Sequence, residues 1–198
     1  MGPEKVTQSG GIWDMELNSG KTQIVYSMTV LSRALFELMR VKPFETITIT
    51  ELCNEAQVAR KTFYRNCQSK TDLIDFMVEM LADELHAGVD YASEDYVRMY
   101  HNFFAFWEGH STFLRVLQTQ GLFPRFCSVF TQYCCRSSSY RFLEAFLDQK
   151  SNAGSLRLYH HAFLIGGLCH VLQMWTQEGF ETSIADLVSV MEYLVPQH

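Results

Sequence analysis

Residues 49–73 read ITELCNEAQVARKTFYRNCQSKTDL, and the pattern of this stretch predicts two short helices and the start of a third. Thr48 stands three residues before Glu51. This spacing is a capping box, in which each side chain satisfies a backbone N–H at the helix start, so it predicts a helix that begins at Ile49. The Leu52, Cys53 and Ala56 side chains then lie on one helical face, which we expect to be buried.

A second short helix is predicted over Arg60–Asn66, after a turn at residues 57–59. Ser69 and Asp72 repeat the capping-box spacing and predict the start of a longer helix. The helix upstream of Pro43, described below, and these two short helices make three small helices. The second and third of them are joined by the three-residue turn at 57–59, which is typical of a helix-turn-helix unit.

The remaining sequence has helical periodicity nearly throughout. Upstream, apolar residues alternate at spacings of four and three: Ile24, Met28, Leu31, Leu35 and Leu38. Lys42-Pro43 ends this helix, because the residue before a proline is pushed out of the helical region. Further helices are predicted at 93–108, 112–120, 124 to about 150, 156–178 and 184–194. We therefore predict an all-α fold.

Charge is divided unevenly along the chain. The 198 residues carry a net charge of −6, and 47% of them are hydrophobic. Residues 21–71 contain eight basic and four acidic side chains, whereas residues 72–198 contain seven basic and fifteen acidic ones. This division indicates a polyanionic partner for the N-terminal part. Chance segregation on a solvated surface is the alternative.

Several classes of protein are disfavoured by what the sequence lacks. No apolar run is long enough to cross a bilayer and no signal peptide is apparent, so we expect a cytoplasmic protein with a flexible leader at residues 1–21. Six cysteines form no C-x-x-C pair, and His160 and His161 are adjacent, which is poor spacing for a metal site. We expect reduced thiols, no metal, no cofactor and no membrane contact. Neither a nucleophile elbow nor a phosphate loop is present, so an enzyme is the weaker hypothesis.

The helix over Arg60–Asn66 combines residue types that contact DNA. A two-turn helix fits the major groove, and Arg60, Lys61 and Arg65 can contact guanine or phosphate there. Thr62 and Tyr64 can donate to phosphate oxygens, and Asn66 can pair with a base or the backbone. Phe63 is expected in the core. Lys70, beside the free N–H groups of a helix start, is a candidate phosphate clamp. A solvated helix with ordinary charges is the alternative.

Residues 22–74 resemble the DNA-binding domain of the tetracycline-repressor (TetR) family of transcription regulators. The residues that carry the resemblance are Ala34-Leu35-Phe36, Ile47-Thr48-Ile49, Leu52-Cys53-x-x-Ala56-x-Val58, Thr62-Phe63-Tyr64 and Ser69-Lys70-x-x-Leu73. The resemblance implies a homodimer that binds a near-palindromic operator in double-stranded DNA, with residues 22–70 binding DNA and residues 71–198 sensing a small effector and dimerising. It also implies DNA contacts for Thr48, Arg60, Lys61, Thr62, Tyr64, Asn66 and Lys70.

Three residues depart from the family pattern. Gln57 stands where glycine is usual, Ala59 where serine is usual, and Cys67 where an aromatic residue is usual. Gln57 at a positive φ costs about 1 kcal/mol, and Ala59 removes a cap that is typically also worth about 1 kcal/mol. These departures keep a second hypothesis open, a TetR-like coactivator or adaptor that acts through a protein partner.

Two further sets of residues are candidates for an effector pocket and a dimer interface. The pocket candidates are Phe103, Trp107, Phe113, Leu117, Phe126, Phe130 and Tyr133. Plain core is the alternative for each of them, because aromatic stripes at helical spacing usually pack inside. The interface candidates are Phe163, Gly166, Gly167, His170, Met174, Leu187, Met191 and Leu194. Their helices are apolar on more than one side, which is typical of a two-fold four-helix interface, although they could also close the monomer core.

Overall fold

The computed structural model describes residues 23–88, 96–136 and 156–194, and within them it contains nine α-helices, one 3₁₀ turn and no strand. The all-α prediction is confirmed. The predicted leader at residues 1–21 lies outside the described residues. The elements are α1 Gln23–Met39, the 3₁₀ turn Phe44–Thr46, α2 Ile49–Glu55, α3 Arg60–Asn66, α4 Lys70–Ala87, α5 Tyr96–Gly109, α6 Ser111–Thr119, α7 Phe123–Arg136, α8 Leu156–Gln177 and α9 Ile184–Leu194.

The N-terminal helices α1–α3 pack around a small core. Thr48 caps α2, because its hydroxyl oxygen accepts a hydrogen bond from the Glu51 N–H at 3.1 Å. Phe63 of α3 is fully buried, and α3 contacts both α1 and α2. Ile24, expected on the inward face of α1, is 57% exposed, so the buried face of α1 begins further along the helix, at Ser27 and Met28.

Helix α4 joins these three helices to the body helices α5–α9. It begins at the predicted capping box, where the Asp72 carboxylate accepts hydrogen bonds from the Gln68 N–H at 2.6 Å and the Ser69 N–H at 3.2 Å. One side of α4 packs on α1 and another on α7. Its Leu73 and Met77 side chains are fully buried, so one core runs through both parts of the chain.

The body is a helical bundle in which α7 packs on α4 and α8, while α5 packs on α9. Trp107 and Trp175 are among its largest fully buried side chains. The Trp175 indole donates a hydrogen bond to the Thr182 carbonyl at 2.8 Å, which satisfies the only polar atom of that ring. Helix α7 is described as far as Arg136, and its predicted continuation toward residue 150 lies outside the described residues.

Gln120, directly after α6, connects the body to the N-terminal helices. Its Oε1 accepts a hydrogen bond from the Phe44 N–H at 2.7 Å. Its Nε2 donates to the carbonyls of Met39 and Lys42, at 2.7 and 3.2 Å. One amide side chain therefore satisfies three backbone groups between α1 and α2, and this fixes the end of α6 against that connection.

Candidate nucleic-acid interface

The turn between α2 and α3 sets the orientation of α3. Gln57 has a φ of 53°, in the left-handed region where glycine is favoured. The Val58 N–H then donates to the Cys53 carbonyl at 2.9 Å and closes the turn. Ala59 precedes α3 and supplies no side-chain cap. Both consequences expected from the departing residues, a positive φ and a missing cap, are therefore present.

Helix α3 presents a cationic face to solvent. Its start and end match the predicted range, and Phe63 is its only buried residue. Arg60, Lys61, Tyr64 and Arg65 are exposed. Among the described residues, none of the three cations takes part in an ion pair. The positive charge on this face is thus unneutralised by neighbouring carboxylates, which is the condition for binding phosphate.

Tyr64 is held in place by its neighbours on α3. Its ring meets the buried Phe63 ring edge-on, with centroids 5.3 Å apart, and the Arg60 guanidinium lies 6.0 Å from the Tyr64 ring centre. The Tyr64 side chain is nevertheless 56% exposed. Packing against Phe63 limits the rotamers of the ring, so less entropy is lost when the phenol contacts a ligand.

Three other predicted contact residues lie at the margin of this face. Thr62 and Asn66 are half-buried, and the Asn66 side-chain nitrogen is buried without a hydrogen-bond partner among the described residues. Thr48 is exposed, and its hydroxyl oxygen accepts the α2 capping bond. That hydroxyl still has its own hydrogen to donate.

Lys70 has hydrogen-bond partners within the protein. Its Nζ donates to the carbonyls of Phe44 and Ile47, both at 2.6 Å, and lies 4.5 Å from the centre of the Phe44 ring. Desolvation by burial lowers the pKa of this ammonium, with nearby Glu45 opposing the shift. Lys70 therefore holds the 3₁₀ turn against the start of α4, and two of the three N–H groups of its ammonium are used for this. A phosphate contact by its remaining N–H stays a prediction.

The predicted effector-pocket side chains pack mainly against one another. The Trp107 ring lies 5.0 Å from that of Phe126 and 5.6 Å from that of Phe130. Six of the seven are at most 8% exposed: Phe103, Trp107, Phe113, Leu117, Phe126 and Phe130. This packing agrees with the alternative that these side chains form ordinary core and do not line a pocket. The Trp107 N–H is buried without a hydrogen-bond partner among the described residues.

Tyr133, the seventh pocket candidate, is half-buried and donates a hydrogen bond to the Asp83 carboxylate. Burial raises the pKa of the Tyr133 phenol, and the Asp83 carboxylate raises it further. The phenol is therefore neutral over the whole range of ordinary pH. Its hydroxyl connects α7 to α4, so this side chain has a structural partner of its own.

The predicted dimer-interface residues divide into two groups. Phe163 and Met174 on α8 are 78% and 57% exposed. Gly166, Gly167 and His170 are exposed between them, and a Cβ built on either glycine would meet no atom within 4 Å. We define this set as the α8 face: Tyr159, Phe163, Gly166, Gly167, His170 and Met174. Tyr159, which is 73% exposed, was not among the predicted residues.

Two of the predicted α9 residues pack against the monomer core, and their part in a dimer interface stays a prediction. Met191 is 9% exposed and Leu187 is half-buried, because α9 packs on α5. Val190, one helical turn after Leu187, is 56% exposed and was not predicted. The side chain of Leu194 lies outside the described residues.

All six cysteines are free thiols, and Cys53, Cys67, Cys134 and Cys169 are buried. Burial raises the pKa of Cys67 to about 11, with Asp72 and Cys53 adding to the shift. No cluster of three His, Cys, Asp or Glu side chains suited to a metal occurs among the described residues. None of the described helices combines the length and apolarity needed to span a membrane.

Comparison with known proteins finds a likeness of fold. A solved structure, the dihydroxyacetone kinase operon activator DhaS, superimposes with a TM-score of 0.56 and 15% sequence identity. The match covers 86% of this chain and 94% of that one. No family model and no curated protein matches the sequence. At this identity the likeness shows that the two chains share a helical architecture, and it shows nothing finer.

Proposed function

We propose that this protein is a homodimeric transcription regulator that binds double-stranded DNA through α3. The observation that carries the proposal is the exposed face of α3, where Arg60, Lys61 and Arg65 have no acidic partner among the described residues. A short helix with such a face, following a tight turn, fits a major groove and its phosphates. The likeness of fold to an operon activator supports this reading.

The α8 face provides a surface for a second copy of the chain. It combines two large exposed side chains, Phe163 and Met174, with two glycines over which another helix can approach closely. An isologous pairing of this face would bury those apolar side chains and place two α3 helices in one particle. A dimer with two-fold symmetry binds a DNA site with the same symmetry, so the operator is expected to be near-palindromic.

The body is the part proposed to sense a small apolar effector. The unpartnered Trp107 N–H lies among closely packed aromatic rings, and a ligand that entered there would supply an acceptor for it. The effector would shift DNA binding by its differential affinity for two spacings of the α3 helices. Lys70 and Gln120, which hold the Phe44–Thr46 turn against α4 and α6, are the contacts through which such a change would reach the N-terminal helices.

A TetR-like coactivator or adaptor is the second candidate function. The positive φ of Gln57 and the uncapped start at Ala59 favour it. Both destabilise the turn before α3 and the start of α3, the helix that would contact DNA. Under this alternative the α3 face contacts an acidic protein surface, and no duplex is selected by sequence.

The experiment that separates the two candidates is selection from a random duplex library, followed by fluorescence anisotropy on the recovered sequence. If the protein is a homodimeric regulator, the selection should enrich a duplex sequence with two-fold symmetry. Tyr64→Phe should then weaken binding about threefold to tenfold by removing one phosphate contact. Tyr26→Phe is the matched control, because Tyr26 is also half exposed but lies on α1. Retention of no duplex above the level of non-specific binding would contradict the regulator and favour the adaptor.

A further inference from the structure

A groove of about 470 Å³ lies between the end of α1 and helix α6. One wall is formed by residues 39–43, which connect α1 to the 3₁₀ turn, and the other is formed by α6 side chains from Thr112 to Thr119. Gln120 closes one end, where it bonds to the carbonyls of Met39 and Lys42. The volume is in the range of small-molecule sites in proteins.

The groove is cationic on both walls. Arg40 and Lys42 belong to one wall and Arg115 to the other, and none of the residues that line it is acidic. Arg40 pairs at 3.0 Å with Glu37, but both side chains are about half exposed, and Lys42 contacts Glu51. Exposed pairs of this kind exchange partners at little cost.

Arg115 has no carboxylate partner among the described residues. Its Nη2 donates to the Gly179 carbonyl at 3.0 Å, and its guanidinium lies 5.1 Å from the centre of the Phe180 ring. A guanidinium has five N–H donors in a planar fork, so most of them are left for another acceptor. Contact with the Phe180 ring holds the fork in one place, which favours bidentate binding of a carboxylate or phosphate.

The groove also has an apolar part. Val41, Pro43 and Val116 contribute to its lining, and Val41 is 79% exposed, the largest exposure among the apolar side chains of α1–α3 and their connections. The groove thus places exposed hydrocarbon beside three cations. It is well matched to a ligand that combines a negative group with hydrocarbon.

We propose that this groove binds a small amphipathic anion, a carboxylate or phosphate monoester that bears an apolar group. The negative group lies between Arg40 and Arg115, and the apolar group covers Val41 and Val116. Because the two walls come from α1 and α6, the bound anion fastens the N-terminal helices to the body beside Gln120. Binding of this anion does not depend on whether the chain binds DNA, so the two proposals stand or fall separately.

Isothermal titration of the full chain with phenyl phosphate tests the proposal, with inorganic phosphate and benzyl alcohol as partial ligands. We expect saturable binding of one phenyl phosphate per chain, at least tenfold tighter than either partial ligand, and a rise in the thermal unfolding midpoint. Arg115→Gln should weaken binding at least tenfold. Thr112→Trp, which leaves every cation in place but fills the groove, should weaken it similarly.

Arg33→Gln is the matched control, because Arg33 is an exposed arginine of α1 that does not line the groove. It should bind phenyl phosphate as the unaltered chain does. Absence of saturable binding would overturn the proposal, and so would folded Arg115→Gln and Thr112→Trp variants that bind phenyl phosphate as tightly as the unaltered chain does. Inorganic phosphate that bound as tightly as phenyl phosphate would contradict the apolar half of the site.

Discussion

Gln120 accepts a hydrogen bond from the backbone N–H of Phe44, across 76 residues of sequence and at a distance of 2.7 Å. Lys70 donates to the carbonyl of the same Phe44 residue, at 2.6 Å. The peptide groups of one residue are therefore held from α6 on one side and from the start of α4 on the other. The 3₁₀ turn is therefore a second connection, besides α4, between the body and the N-terminal helices.

Gln120→Ala is expected to lower the free energy of unfolding by about 1–3 kcal/mol. The substitution leaves the Phe44 N–H and the Met39 and Lys42 carbonyls without their partner, and unsatisfied buried polar groups are costly. Urea unfolding followed by circular dichroism measures the change. Gln132→Ala is the control, because Gln132 is exposed and bonds only to Ser128 on the same helix, so its effect should stay within about 0.5 kcal/mol. Equal effects of the two substitutions would show that the Gln120 bonds contribute nothing to stability.

Gln57→Gly is expected to stabilise the fold by about 0.5–1 kcal/mol. Glycine adopts the φ of 53° without the steric cost that a Cβ carries. Gln57→Ala is the matched control, because alanine keeps the Cβ and should give no gain. The shift in thermal unfolding midpoint reports both changes. If the alanine variant were stabilised as much as the glycine variant, backbone strain at this turn would not be the cause.

The capping box of α4 predicts a pH dependence of stability. Burial opposes ionisation of Asp72, but hydrogen bonds from Gln68 and Ser69 outweigh it, so the pKa of this carboxyl is lowered. A lowered folded-state pKa stabilises the fold above the unfolded value near pH 4, and that stabilisation is lost as the pH falls through the folded value. Asp72→Asn should therefore cost about 1 kcal/mol at pH 7. Chemical unfolding at pH 7 and near pH 3 measures the free energy of unfolding of both proteins. The difference between the variant and the unaltered chain should be smaller near pH 3 than at pH 7. A difference that does not change with pH would contradict a role for the Asp72 charge.

Phe163→Glu is expected to convert the proposed dimer to a monomer. The side chain is 78% exposed in the isolated chain, so the substitution costs the monomer little, whereas a carboxylate in an apolar interface is strongly unfavourable. Sedimentation velocity gives the mass. Ile24→Glu is the control, since Ile24 is 57% exposed but lies at the start of α1. A chain that sediments as a monomer without any substitution would contradict the dimer.

The local structure was predictable from sequence because its signals are local. The range of α3 follows from the short turn before it, and the starts of α2 and α4 follow from capping pairs three residues apart. The partners of Lys70 lie 23 and 26 residues upstream, and the Phe44 partner of Gln120 lies 76 residues away. Helical periodicity holds no information on such distant pairings, so neither the carbonyl partners of Lys70 nor the role of Gln120 was predicted.

The two faces of α8 show a second limit of sequence reasoning. Phe163 is 78% exposed and Ile165 is 3% exposed, although both are large apolar residues of the same helix. A helix that is apolar on every side has no amphipathic pattern, so only packing decides which side is inward. A related limit applies to Trp107 and Phe126, because aromatic spacing on a helix favours core but does not by itself exclude a pocket.

The salt dependence of DNA binding tests the central claim most directly. With the duplex recovered by selection, the logarithm of the association constant should fall linearly with the logarithm of salt concentration. Arg65→Ala should weaken binding and reduce the size of that slope by about one, since one phosphate contact is lost. Arg136→Ala, at the end of α7, should leave the slope unchanged. An unchanged slope for Arg65→Ala and for Arg60→Ala would contradict α3 as the DNA-binding helix.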